Sequence, residues 1–193
     1  MKSMILIGVD TTDVRRMLGK LNDKEMKKTL KKAVNETAKQ ARKRLANEAK
    51  KKYAIKNPKF NQSMKIKNAT VVSPIAYIIS TGGVNEIMDF KVSPAKYATG
   101  RDKPDITKGK VLKENGMKRL EKGNLKAFIA RFANGHKSVV QRTGRGREIK
   151  KLLSPSVPIM LGSQRRVYGI VEPHIGNDLR EYLRKFVSQQ LGV

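Results

Sequence analysis

"AFIARFANGHKSVVQRTG", residues 127–144, is the stretch whose reading decides the fold. Alternation puts Phe128, Ala130 and Phe132 on one face of a strand and leaves Ile129 and Arg131 on the other. Asn134-Gly135 is a strong hairpin signal, because both residues tolerate the positive φ of a type I′ turn. "KSVVQRT" then returns as the partner strand. His136 falls at the end of this hairpin, the place of a solvated histidine rather than a catalytic one.

Downstream, "GRGREIKKLLSPSVPIM" (144–160) raises a phosphate-loop question. Gly144 and Gly146 lack the spacing and the Lys-Ser/Thr pair of a Walker A loop. Arg142, Arg145, Arg147, Lys150 and Lys151 either grip phosphates from an exposed loop or form a second turn with solvated charges. Pro155 and Pro158 predict an extended strap that offers Val157, Ile159, Met160 and Leu161 for docking. Residues 163–191 read as helix with Leu179, Leu183, Phe186 and Leu191 on one stripe. Pro173 and Gly176 should kink or interrupt it, with Asn177 as a new N-cap.

Upstream, residues 24–52 carry the clearest helical pattern. Met26, Leu30, Val34, Thr37, Ala41, Leu45 and Ala49 recur at three- and four-residue spacing, so they share a face, expected to pack on the sheet of the middle strands. The opposite face is basic and includes Lys31, Lys39, Arg42, Lys43 and Lys50. The stripe is mostly alanine and lacks the bulky anchors of a membrane-binding helix, so it reads as core-facing. The helix should end near Tyr53, ahead of Asn57-Pro58. "MKSMILIGVD" reads as a first strand, and residues 10–23 as a short helix capped by Asp10 or Thr11. Residues 63–80 read as two strands broken near Asn68, followed by short strands around 88–92 and 110–113 and a hairpin tip at Asn115-Gly116. The expected architecture is α+β: an antiparallel sheet packed against a long helix of the N-terminal half, with a C-terminal helix. One domain, 1–193, is expected, divided into 1–62, 63–162 and 163–193.

Composition narrows the function. The charged share, 31%, nearly matches the apolar share, 38%, yet hydrophobic clusters recur along most of the length, so the chain folds. There is no cysteine, which removes disulfides, thiol chemistry and Cys-based zinc sites. No apolar run reaches the ~20 residues of a membrane span. The opening apolar segment is shorter than the ~7–15 residues of a signal peptide, so a cytoplasmic origin is expected. The formal charge of +27 calls for a polyanion, above all nucleic acid, or for acidic neighbours in an assembly. Sparse aromatics and the absence of Trp argue against base-stacking platforms.

Catalytic chemistry has no convergent set of residues to carry it. His136 and His174 are the two histidines, without an H-x-x-x-H pair or a neighbouring acidic cluster. Asp89, Asp102, Asp105 and Glu114 are scattered singly, where a two-metal nuclease gathers its carboxylates. The chain reads as a non-enzyme without a cofactor.

Taken together, Ala127-Phe128, Arg142, Gly144, Arg147, Ile149 and Pro155-Ser156-Val157-Pro158 resemble the minor tail protein Z family of tailed phages and prophages. Glu148 stands where that family usually has proline, and Ser154 where it has glycine. The resemblance implies a structural virion protein at the head-proximal end of the tail, made in the host cytoplasm, that completes the tail and joins it to the head. It further implies a ring of identical subunits, a hexamer by family analogy, with other tail and neck proteins and DNA in the neck as partners and no membrane. Arg142, Arg145, Arg147, Val157, Ile159 and Met160 would then lie at subunit or partner interfaces. Lys31, Lys39, Arg42, Lys43 and Lys50 would face DNA. The competing reading is a free basic nucleic-acid-binding protein.

Overall fold

A computed structural model describes residues 2–6, 18, 19, 21–102, 104–144 and 146–192. Its strands are β1 (Lys2–Leu6), β2 (Met64–Lys67), β3 (Tyr77–Thr81), β4 (Asn85–Glu86), β5 (Lys91–Ser93), β6 (Lys108–Lys110), β7 (Lys118–Arg119), β8 (Glu121–Lys122), β9 (Leu125–Arg131), β10 (Lys137–Arg142), β11 (Ile149–Lys151) and β12 (Leu153–Ser154). Its helices are α1 (Asp23–Lys52), α2 (Val157–Leu161) and α3 (Tyr168–Leu191). The class is α+β with antiparallel sheets, as expected. The expected helix over 10–23 falls largely outside the described residues.

The chain forms two compact units. The first comprises Met1–Ala49, Lys59–Gly82 and Val157–Val193. Here α1 starts where Asn22 caps it: the Asn22 side-chain oxygen accepts the Glu25 N–H at 2.9 Å, and its carbonyl accepts Met26 N–H at 2.8 Å. Asp23 and Glu25 in the first turn and Lys50, Lys51 and Lys52 in the last complement the helix dipole. The buried face is built of small residues, Ala33, Thr37, Ala38, Ala41, Ala46 and Ala49, around Leu45. Small side chains let neighbouring backbone approach closely. Asn35 exploits this, since its amide donates to the Ala69 carbonyl (3.3 Å) and accepts from the Ala69 N–H (2.7 Å). Ala38 packs with Ala69 and Ala76 beside Val34 and Ile66. The sheet order is β1-β3-β2, with Ile79 facing Met4 on one side and Lys65 on the other.

Two expectations for this unit are corrected. The Met26/Leu30 end of the stripe packs not on the sheet but on a cluster of Leu18, Ala33, Leu179, Leu183 and Val187, so its main partner is α3, while Val34 touches both that cluster and the one shared with Ile66 of β2. Helix α3 itself runs unbroken from Tyr168 to Leu191, and Asn177 lies inside it. Pro173 is accommodated because it removes one hydrogen bond near the start, while Val171, Ile175, Leu179, Leu183 and Val187 bury a ladder at four-residue spacing. The close approach at Gly169 is obligatory: a Cβ there would collide with the Gln164 carbonyl oxygen.

Residues 157–161 also differ from expectation, forming a short helix instead of an extended strap. Proline suits a first helical turn as well as an extended segment, because its φ is preset and its missing N–H would be unpaired there. The Pro158 carbonyl closes the turn by accepting Gly162 N–H at 2.9 Å.

The second unit comprises Lys50–Pro58 and Gly83–Ser156. The chain leaves α1 when the Lys52 carbonyl accepts Lys113 N–H (2.8 Å) and Tyr53 bridges to Leu112. Its sheets have the orders β11-β10-β9-β8, β5-β6-β7 and β12-β4. Ile87, Val92, Ala127, Ile129 and Val139 form its core, joined by Met88, Val111, Leu120 and Leu152. The strand expected at 88–92 is a 3-10 turn over Ile87–Asp89 followed by β5, and the one expected at 110–113 sits at Lys108–Lys110.

The hairpin that opened the reading is present, with Val139 opposite Ile129 and Val140 opposite Phe128. Its core face is that of Ala127 and Ile129. The turn is not type I′. Gly135 alone has positive φ (79°), while Gly135 N–H donates to Phe132 O and Phe132 N–H to His136 O, each at 2.8 Å. That is a three-residue loop with the left-handed glycine last, which asks nothing unusual of Asn134.

Candidate interface and basic surfaces

The hairpin end is held by a charge cluster that the sequence did not disclose. Glu86 accepts from Lys151 Nζ at 2.7 Å and lies 3.1 Å from His136 Nε2. The Lys151 ammonium sits 5.3 Å from the centre of the Phe132 ring, and that ring stacks with His136. Burial pushes the Glu86 pKa up, but the hydrogen bonds of Lys151 and His136 and the Lys151 charge outweigh it and hold the group at about 2. His136 is thus one of the basic groups gathered round a structural carboxylate. Glu86 is 50 and 65 residues from these partners, so no local pattern marks it.

The arginine-rich segment is a β-hairpin turn between β10 and β11, with Arg142 opposite Ile149. A phosphate loop would open a helix, which this does not. Arg142 donates to the Gly146 carbonyl at 3.0 Å and lies over the Phe128 ring, so this arginine is oriented. Arg147 is exposed, and Arg145 lies outside the described residues. Beside this turn Ile149 and Leu153 are exposed on β11 and β12.

Within α2 the four expected docking residues part ways. Ile159 is 45% exposed, Val157 is half-buried, and Met160 and Leu161 are fully buried in the chain's own core. Of the five basic residues expected to face DNA, Lys31, Lys39, Lys43 and Lys50 are exposed and Arg42 is half-buried. Lys39 pairs with Glu36 at 2.6 Å.

A wider basic feature opens beside the first half of α1. Lys24, Lys28, Lys31 and Lys32, together with Glu25, line a cleft of about 650 Å³. Its walls include Val71 and Gln190, from the β2–β3 connection and from the end of α3. The lysine spacing is visible in sequence, but walls supplied by residues as distant as Val71 and Gln190 are not. A second, smaller pocket of about 380 Å³ in the second unit is lined by Lys56, Lys91, Lys110 and Lys113 around Val92. Among the described residues no group of three or more His, Asp or Glu is placed to hold a metal, and no helix is long and apolar enough to cross a membrane.

These features belong to a mixed α+β fold with oriented surface cations, scattered exposed aliphatics, and polar clusters that fasten it. The sequence model of the family described as prophage minor tail protein Z (GPZ) matches residues 8–191. The chain belongs to that family, and so is a structural protein of the phage tail. Neither a curated protein sequence nor a solved structure matches it.

Proposed function

We propose that the chain is a tail-completion subunit: copies associate into a ring at the head-proximal end of the tail and form the surface onto which the head docks. Family membership over residues 8–191 is the observation that carries this reading. The exposed side chains support it. Ile149 and Leu153 lie beside the arginine turn, and Ile159 is exposed on α2. Ile149 and Leu153 supply the apolar centre of one subunit contact, with Arg142 and Arg147 at its polar rim, and Ile159 supplies that of another. The partners are then further copies of the chain and neighbouring tail and neck proteins, in the virion and, during assembly, in the host cytoplasm.

Electron microscopy of the purified full-length chain, with antibody labelling of intact particles, tests the proposal. Closed rings and label at the head–tail junction are expected. Label at the distal tip of the tail would overturn it, and a chain that stays monomeric at all concentrations while binding DNA would overturn it in favour of the free nucleic-acid-binding protein.

A further inference from the structure

We infer that the lysine cleft beside α1 is a binding site for the sugar-phosphate backbone of nucleic acid, read without regard to base sequence. The inference goes beyond the assembly reading and does not depend on ring formation. Lys24, Lys28, Lys31 and Lys32 recur so that all four reach one concave surface. Over these eight intervals the helix rises about 12 Å, the length in which one nucleic-acid strand presents roughly three or four charges at ~3.4 Å each. Among the described residues Glu25 is the only acid in the lining, set against four lysines, so the cleft is positive.

The cleft is also built rather than incidental. Asn35 clamps Ala69 through two hydrogen bonds, and the turn that follows is closed by Thr70 N–H to Ser73 O (2.9 Å) and Ser73 N–H to Thr70 Oγ1 (3.0 Å). This fixes Val71 as a wall. Among the described residues none of the four ammonium groups has a hydrogen-bonding or ion-pair partner, so all are available to a ligand. The pocket of the second unit is different, because Lys56 already donates to the Met88 carbonyl and Lys110 to the Lys113 carbonyl.

Shape and lining choose between polyanions. A lipid surface is flat and cannot follow a concave wall, whereas a phosphodiester strand can. Among the described residues no aromatic side chain lines the cleft, so bases have nothing there to stack on and contact is confined to the backbone. Of the five residues expected from sequence to face DNA, Lys31 lines the cleft.

The test uses the full-length chain with Lys24, Lys28, Lys31 and Lys32 all changed to Gln, a substitution that keeps helix propensity. A control of equal charge change replaces Lys108, Lys118, Lys122 and Lys126, all exposed in the second unit. Circular dichroism confirms that both fold, and fluorescence anisotropy with a mixed-sequence duplex is followed across KCl concentrations. The cleft variant should lose at least about tenfold in affinity at ~0.15 M salt, and its log–log salt slope should flatten by about 3. The control should lose less than about threefold. Equal losses in both variants would reduce the site to diffuse charge, and no duplex binding by the parent chain would remove it. Vesicles of phosphatidylcholine with phosphatidylserine form the second arm. If the cleft variant loses these and keeps its duplex affinity, the ligand is lipid and the inference is wrong.

Discussion

Gly135 carries the geometry of the central hairpin, because it supplies the single left-handed residue that lets β9 return as β10. No atom stands within 4 Å of where a Cβ would go, so a side chain there meets only the backbone penalty. Gly135→Val should therefore cost about 1–3 kcal/mol, seen as a lower midpoint in thermal or urea unfolding. An unchanged midpoint would contradict the turn. Glu86, near the same hairpin end, makes a different prediction, about acid. Its pKa falls from an ordinary 4.5 to about 2, so the folded state binds fewer protons than the unfolded state between those values. The stabilisation is complete above pH 4.5 and disappears as pH falls through about 2. Solvent reaches the group, with 20% of its side chain exposed, which limits the effect to roughly 1–2 kcal/mol. Comparing the parent with Glu86→Gln in urea across pH measures it. The gap between the two should be constant above pH 4.5 and narrow towards pH 2, and a gap that persists unchanged at pH 2 would assign the loss to packing.

At the scale of elements, an ion pair across 134 residues fastens α1 to α3. Arg44 donates Nε and Nη2 to the two oxygens of Asp178 at 3.0 and 2.8 Å, and Asp178 is only 7% exposed. Arg44→Ala strands a carboxylate at the helix interface and should cost about 2–3 kcal/mol, Arg44 itself being partly solvated. Arg44→Met with Asp178→Leu should recover most of that loss, because no charge then remains unpaired. Equal destabilisation of the single and double variants in urea would show that the pair contributes nothing specific. Long periodic elements such as α1 and the β9–β10 pair were legible in sequence because their patterns are local and repeat several times. The segment at 157–161 misled because the same prolines suit an extended strand and a first helical turn, and burial of Pro158, Met160 and Leu161 decides between them. Pro173 misled likewise, since the apolar ladder of α3 overrides one missing hydrogen bond. The Glu86 cluster, the Arg44–Asp178 pair and the cleft walls join residues far apart in the chain, which leaves no periodicity to read.

For the whole molecule the governing quantity is the charge of +27. Two such subunits repel, so the proposed ring would form against that repulsion, through apolar contacts and through whatever screening the solution provides. Raising ionic strength from 0.1 to 1 M shortens the screening length from about 10 Å to about 3 Å and so relieves the repulsion. Apolar contacts at Ile149, Leu153 and Ile159 lose nothing in the process. Phosphate binding responds in the opposite sense, since salt removes the gain from releasing counterions. The oligomeric share should therefore rise with NaCl while duplex affinity falls, when light scattering after size-exclusion chromatography and anisotropy are measured on one preparation. Ile159→Asp, which adds an acid at an exposed position of α2, should lower the oligomeric share at every salt concentration without changing duplex affinity. Should the oligomer instead dissociate as salt rises, its contacts would be ion pairs between Arg142 or Arg147 and the few acids of a neighbouring subunit, and the apolar interface would have to be abandoned.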